Sequence, residues 1–166
     1  MLVLAKPEAR PYWIGVGFAV VGQAIRIWSA GYLSKLEKLV TAGPFALCRN
    51  PLYIGSFFIT VGYCFMCNRL DVWIAGVIAF WLFHGGATAY EEILLRQEFG
   101  DAFDEYCTRI PRFLPHPRSM SGEGSFSVRQ LLLNNEHVSL IGTTIVTVLF
   151  GLMVYHPEWA PLQWLW

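Results

Sequence analysis

Charge is scarce in this chain. Only 14% of its residues are Asp, Glu, Lys or Arg, against about 25% in an ordinary soluble domain. A bundle this size has too few charges to solvate a water-facing exterior. The 12 Lys and Arg are balanced by 12 Asp and Glu. The chain therefore has no positive field to draw nucleic acid. Cysteine is also sparse. Cys64 and Cys67 form one CxxC inside an apolar run, and Cys48 and Cys107 stand apart. Without a second pair this argues against a metal or redox centre and reads as small packing residues. No G-x-G-x-x-G is present, so no dinucleotide-type phosphate loop is expected. Internal repeats and low-complexity tracts are missing too. The opening "MLVLAKPEARP" has too short an apolar start for a secretory leader. The closing "PLQWLW" is not a lipidation signal.

What the chain does have is grease. Hydrophobic residues make up 55%, with seven Trp, seven Tyr and 12 Phe, and the mean hydropathy is +0.44. Four runs are candidate membrane spans: 12–30, 51–67, 72–90 and 138–155. A span needs roughly 17–25 residues, so the second is marginal. It reads with the third as a tight hairpin turning at Asn68 to Asp71. Hydrocarbon leaves no partner for unpaired backbone groups, so each run is expected to be helical. Tyr12, Trp13, Trp28, Tyr32, Tyr53, Trp73, Trp159, Trp164 and Trp166 cluster near the ends, as interfacial aromatics do. The expectation is an all-α integral membrane bundle, one domain over 1–166, with about four transmembrane helices.

Basic residues set the expected orientation. Lys6, Arg10 and Arg69 fall on one side. Lys35, Lys38, Arg49, Arg96, Arg109, Arg112, Arg118 and Arg129 fall on the other, which is expected to be cytoplasmic. The connection 91–137 lies there. Its first half carries apolar residues at helical spacing (Ile93, Leu94, Phe99, Phe103, Tyr106) and stops at "IPRFLPHP", where proline forbids continuation. "RSMSGEGS" reads as a loop, and "FSVRQLLLNNEH" as a short interfacial helix.

Three polar stretches can carry chemistry. In "TAGPFALCRNPLYIGS", Asn50 and Pro51 suit the N-cap and first position of a helix. Arg49 beside that helix start makes an anion-attracting corner, or else snorkels to lipid head groups. Glu91 and Glu92 follow the third run directly. They point about 100° apart on a helix, so one can face inward, while Glu92 and Arg96 are also spaced for an i,i+4 pair. "RIPRFLP" presents Arg109 and Arg112 on a stiff segment that can close over an anion or grip lipid phosphate. Arg26, within the first run, reads as a snorkelling side chain. His84 in the third run reads as a structural histidine.

The order of these stretches is more telling than any one of them. "T-x-G-P-F-x-x-x-R-N-P-L-Y-I-G", an apolar hairpin, "E-E-x-x-L-x-x-x-F-G-x-x-F-x-x-Y" and "I-P-R-F-x-P" together resemble the isoprenylcysteine carboxyl methyltransferase family and its phospholipid methyltransferase relatives. The resemblance covers roughly 22–115 and leaves the fourth run outside. It implies an integral membrane enzyme that uses S-adenosylmethionine and methylates a lipid-soluble or prenylated acceptor, with the active site facing the cytoplasm. It implies that Gly43, Pro44, Arg49, Asn50, Pro51, Tyr53, Glu91, Glu92, Tyr106 and Arg112 bind the cofactor. Arg49, Glu92 and Arg109 are the expected catalytic residues, and no metal is expected. Within that site, Glu91 or Glu92 takes the ribose or cationic part of the donor. Arg49 and Asn50 hold its polar end, and Arg109 or Arg112 orients an anionic acceptor. The family more often has histidine at position 50 and tyrosine at position 45, where this chain has Asn50 and Phe45. The alternatives are methylation of a phospholipid ethanolamine nitrogen, a nicotinamide-dependent sterol-type reductase, and a non-catalytic lipid-binding protein.

Overall fold

The computed structural model describes residues 5–34, 38–116, 122 and 124–159. It is all-helical among these residues: α1 (Ala9–Tyr32), a 3-10 turn (Gly43–Ala46), α2 (Pro51–Cys67), α3 (Leu70–Phe99), α4 (Asp101–Arg109), α5 (Val128–Leu133), α6 (Glu136–Tyr155) and a closing 3-10 turn (Pro157–Trp159). By length and composition α1, α3 and α6 can cross a membrane, and α2 falls in a shorter apolar class. Exposed Trp81, Leu82, Phe83, Ile141 and Ile145 give α3 and α6 outer faces suited to lipid rather than water.

The strongest packing is α1 against α2, and glycine makes it possible. A Cβ on Gly15 would lie 2.4 Å from the Gly62 carbonyl oxygen, and one on Gly22 would lie 2.5 Å from that of Gly55. The two helices therefore run antiparallel with their backbones almost touching, as small residues permit between membrane helices. The α2–α3 hairpin turns at Asn68, which adopts the left-handed conformation (φ 53°) and closes α2 through its N–H.

Several expectations need correction. α3 does not stop near Tyr90 but runs on to Phe99 and breaks at Gly100, whose φ of 50° suits glycine. Glu91 and Glu92 thus sit on a helix, as their spacing implied, and it is the same helix as the third apolar run. The second helical piece of the connection is only Val128–Leu133, because the Asn134–Asn135 turn interrupts it. Asn134 is used there to close α1, its amide donating to the carbonyls of Ala30 (2.9 Å) and Leu33 (2.7 Å). Tyr12 is buried beneath Gly151 rather than set in an interfacial belt. Trp13 and Trp28 are exposed, while the Trp159 side chain, Trp164, Trp166 and most of "RSMSGEGS" lie outside the described residues.

Arg26 does not snorkel. Its guanidinium meets the Glu136 carboxylate, with Nη2 to Oε2 at 2.8 Å and Nε to Oε1 at 2.9 Å, and Nη1 donates to Ser56 Oγ at 2.6 Å. Gln23 Nε2 donates to the same carboxylate at 2.8 Å. α1, α2 and α6 are thereby joined at the end of the bundle that also carries α4 and the start of α2.

Candidate active site

Three segments distant in sequence meet at that end, and Glu92 is the point where they join. Its Oε1 accepts from Asn50 Nδ2 (3.2 Å) and Arg112 Nε (3.1 Å), and Arg49 Nη1 lies 3.4 Å away. The segment after α4 is strapped across by backbone bonds. Arg49 N–H donates to the Pro111 carbonyl at 2.9 Å, and His116 N–H to that of Leu47 at 3.0 Å. Prolines stiffen this strap, and the Asn50 amide reaches the Arg112 carbonyl as well.

Asn50 does stand at the N-cap of α2, with Pro51 at the first position, but its side chain makes no capping bond. It is spent on Glu92 and the strap. The first-turn N–H groups of α2 are thus left to solvent or a ligand. Glu92 does not pair with Arg96, which bridges to Asp104 instead at 2.7 Å. Arg49 also places Nη1 2.7 Å from Cys107 Sγ, while its buried Nε has no hydrogen-bond partner.

Cavities lie on each side of this junction. A polar one of about 260 Å³ is lined by Asn50, Pro51, Tyr53, Glu91, Arg26 and Glu136, among others. A narrow one of about 50 Å³ is lined by Arg49, Asn50, Glu92, Phe45 and Tyr106, with Lys38 at its edge. Asn50 and Leu33 belong to both. The third is an apolar groove of about 430 Å³ between α2 and α3, bounded by Phe57, Phe80, Trp81 and the strap residues Phe113 to Pro115. Tyr53 and His84 line both this groove and the polar cavity.

Tyr106 is buried, and its hydroxyl donates to the Phe45 carbonyl at 2.6 Å. Burial, then the nearby Cys48 thiol, raises its pKa, so it stays a donor. Gly43 and Pro44 line none of the three cavities. They set the turn: Gly43 takes φ 59° over the Tyr32 ring, and the Pro44 carbonyl accepts from Leu47 and Cys48. Arg109 pairs with Glu105 on the exposed face of α4, apart from the Glu92 junction.

His84, read from the sequence as a structural histidine, lines two of the cavities, and Glu136 was not singled out at all. His84 stacks on Phe80 (4.4 Å between centroids, 12° between planes), and its Nδ1 lies 3.2 Å from the Phe80 carbonyl. A carbonyl only accepts, so in that contact Nδ1 is the donor. Glu136 was missed because it follows a polar loop. Only the fold brings it to Arg26.

A bundle of apolar helices with an ion-paired polar cavity at one end and an apolar groove opening beside it has room for a charged group next to a greasy one. The chain belongs to the phospholipid methyltransferase family, whose family model matches residues 11–102. It is a membrane methyltransferase and resembles the isoprenylcysteine O-methyltransferases. It is 33% identical to the nickel-cobalt-cadmium resistance protein NccN of Alcaligenes xylosoxydans xylosoxydans over 89% of this chain and 70% of that protein. It is 32% identical to protein-S-isoprenylcysteine O-methyltransferase B of Arabidopsis thaliana over 66% of this chain and 64% of that one. With the mouse protein-S-isoprenylcysteine O-methyltransferase the identity is 35% over 54% of this chain and 32% of that one. No solved structure matches. Among the described residues no group of three or more His, Cys, Asp or Glu is placed to hold a metal ion.

Proposed function

We propose that this protein transfers a methyl group from S-adenosylmethionine to a lipid-borne acceptor, most nearly an isoprenylcysteine-type carboxylate, at the cytoplasmic face of a membrane. The observation that carries the reading is the meeting of a polar cavity and an apolar groove at Tyr53 and His84. The buried, unpartnered Nε–H of Arg49, on the wall of the Glu92 cavity, fits a polar ligand, since such donors are rarely left unpaired. The donor supplies an activated methyl on a sulfonium, displaced in line by the acceptor.

The chain's own residues bind, orient and exclude water. Glu92, held by Asn50, Arg49 and Arg112, receives hydroxyl or cationic groups of the donor, and Phe45 and Tyr106 wall its aromatic part. Glu91 and Tyr53 face the sulfonium side, where a carboxylate and an aromatic face favour positive charge. The groove holds the acceptor's hydrocarbon, entered sideways from the bilayer. Positioning of this kind supplies roughly 7–11 kcal/mol of a barrier when reacting atoms are held about 3–3.5 Å apart. The strap, tied by its backbone to Leu47 and Arg49, covers both reactants. Arg112, which also lies over the Phe113 ring, is the residue placed to meet an acceptor carboxylate.

A second reading, methylation of a phospholipid amine, is favoured by His84. With Nδ1 donating to the Phe80 carbonyl, Nε2 is the ring nitrogen left to take the proton that an amine must lose. Incubation of the purified protein with membranes and methyl-labelled S-adenosylmethionine separates the two. Label in a base-labile prenylcysteine ester supports the first reading, and label in phospholipid head groups supports the second. No label in any lipid or prenylated species contradicts both.

A further inference from the structure

The polar cavity extends past the Glu92 junction and ends on Arg26 and Glu136. Glu136 begins α6, outside the residues matched by the family model. As a staple alone this pair is a poor device. A buried ion pair seldom contributes more to stability than apolar residues of the same volume, and charge within membrane helices usually marks function. The pair is also not saturated. Arg26 uses Nε and one hydrogen each of Nη1 and Nη2 on Glu136, Ser56 and Ser139. One N–H on each terminal nitrogen remains. Glu136 accepts twice at Oε1 but once at Oε2, so a lone pair remains there. The uncapped first turn of α2 opens onto the same cavity through Pro51 and Leu52. A wall offering spare cationic donors, spare anionic acceptor capacity and helix N–H groups is complementary to a zwitterion.

We infer that Arg26 and Glu136 receive the α-amino-acid end of the methyl donor, its carboxylate on Arg26 and the α2 N-terminus, its ammonium on Glu136, so that α6 completes the donor site. This rests on the donor reading above and adds a residue set to it.

Two ligands test the inference by calorimetry on purified, detergent-solubilised protein. S-adenosylhomocysteine carries the amino-acid end, and 5′-methylthioadenosine lacks it. The wild type is expected to prefer the first. Glu136→Gln and Arg26→Lys should each weaken S-adenosylhomocysteine about tenfold or more, leaving methylthioadenosine within about twofold. The paired replacement Arg26→Met with Glu136→Leu leaves no lone buried charge and should make the two ligands bind alike. Equal loss of both ligands would reduce the pair to a staple, and unchanged S-adenosylhomocysteine binding would remove it from the site. If the wild type binds methylthioadenosine but gains nothing from the amino-acid end, the inference fails while the donor reading stands. If it binds neither, the donor reading itself fails.

Discussion

Glu92 shows how one side chain can order a site. It is about one-sixth exposed (17%) and draws Asn50, Arg49 and Arg112 from two separate segments onto one carboxylate. Its charge therefore sets the shape of the pocket and is also the charge proposed to meet the ligand. Tyr106 holds a different contact, the one beneath Phe45. Tyr106→Phe leaves that buried carbonyl unpaired and should cost about 1–3 kcal/mol in stability, read as a lowered midpoint in thermal unfolding. The phenol stays protonated in the fold but titrates near about 10 in the unfolded chain. Above that pH the unfolded state binds fewer protons, so stability falls as pH rises, and the Phe variant should lose this pH dependence. The sequence made Arg49, Asn50 and the glutamates legible because their spacing around the apolar hairpin is unusual. It hid Arg26–Glu136, since an ion pair across 110 positions leaves no periodic trace. It also hid the loss of Asn50 as a cap, because local propensity says nothing of a carboxylate arriving from another helix.

At the level of elements, apolar runs and prolines were enough to place α1, α2, α3 and α6 to within a few residues at most ends. The end of α3 was not, since nothing in "YEEILLRQEF" marks the passage from membrane to water. A helix crosses that boundary without needing a break. Glycine spacing was the unread signal. Gly15 and Gly22 on α1 face Gly62 and Gly55 on α2 at near contact. Gly22→Ala should destabilise the bundle by about 1–3 kcal/mol through overpacking. Gly17→Ala, where a Cβ meets nothing within 4 Å, should leave the melting temperature in detergent unchanged or slightly raised. Equal effects of the two substitutions would argue against a glycine-set α1–α2 contact.

Across the whole molecule, function is asymmetric. The ends of the bundle that meet at Tyr12, Cys67 and Met153 form an apolar core, while the opposite end gathers the Glu92 and Arg26–Glu136 ion pairs, the strap and the cavities. The α2–α3 groove is walled by apolar side chains of two helices, and it is there that the proposed acceptor's hydrocarbon would enter from the bilayer. Gly85 lines this groove and has open space where its Cβ would be. Gly85→Leu should fill the groove without strain, raising KM for the lipid acceptor at least about tenfold while S-adenosylhomocysteine affinity holds. A rise in KM matched by an equal loss of donor affinity would mean that groove and polar cavity are not separate sites.

The central claim is that the Glu92 junction binds the methyl donor. Calorimetric titration of S-adenosylhomocysteine into wild type and Glu92→Gln, with folding of both verified by thermal melts, tests it most directly. Saturable binding to wild type, weakened about tenfold or more by the substitution, is the expected result. Equal affinity for both folded proteins, or no binding to either, would contradict it.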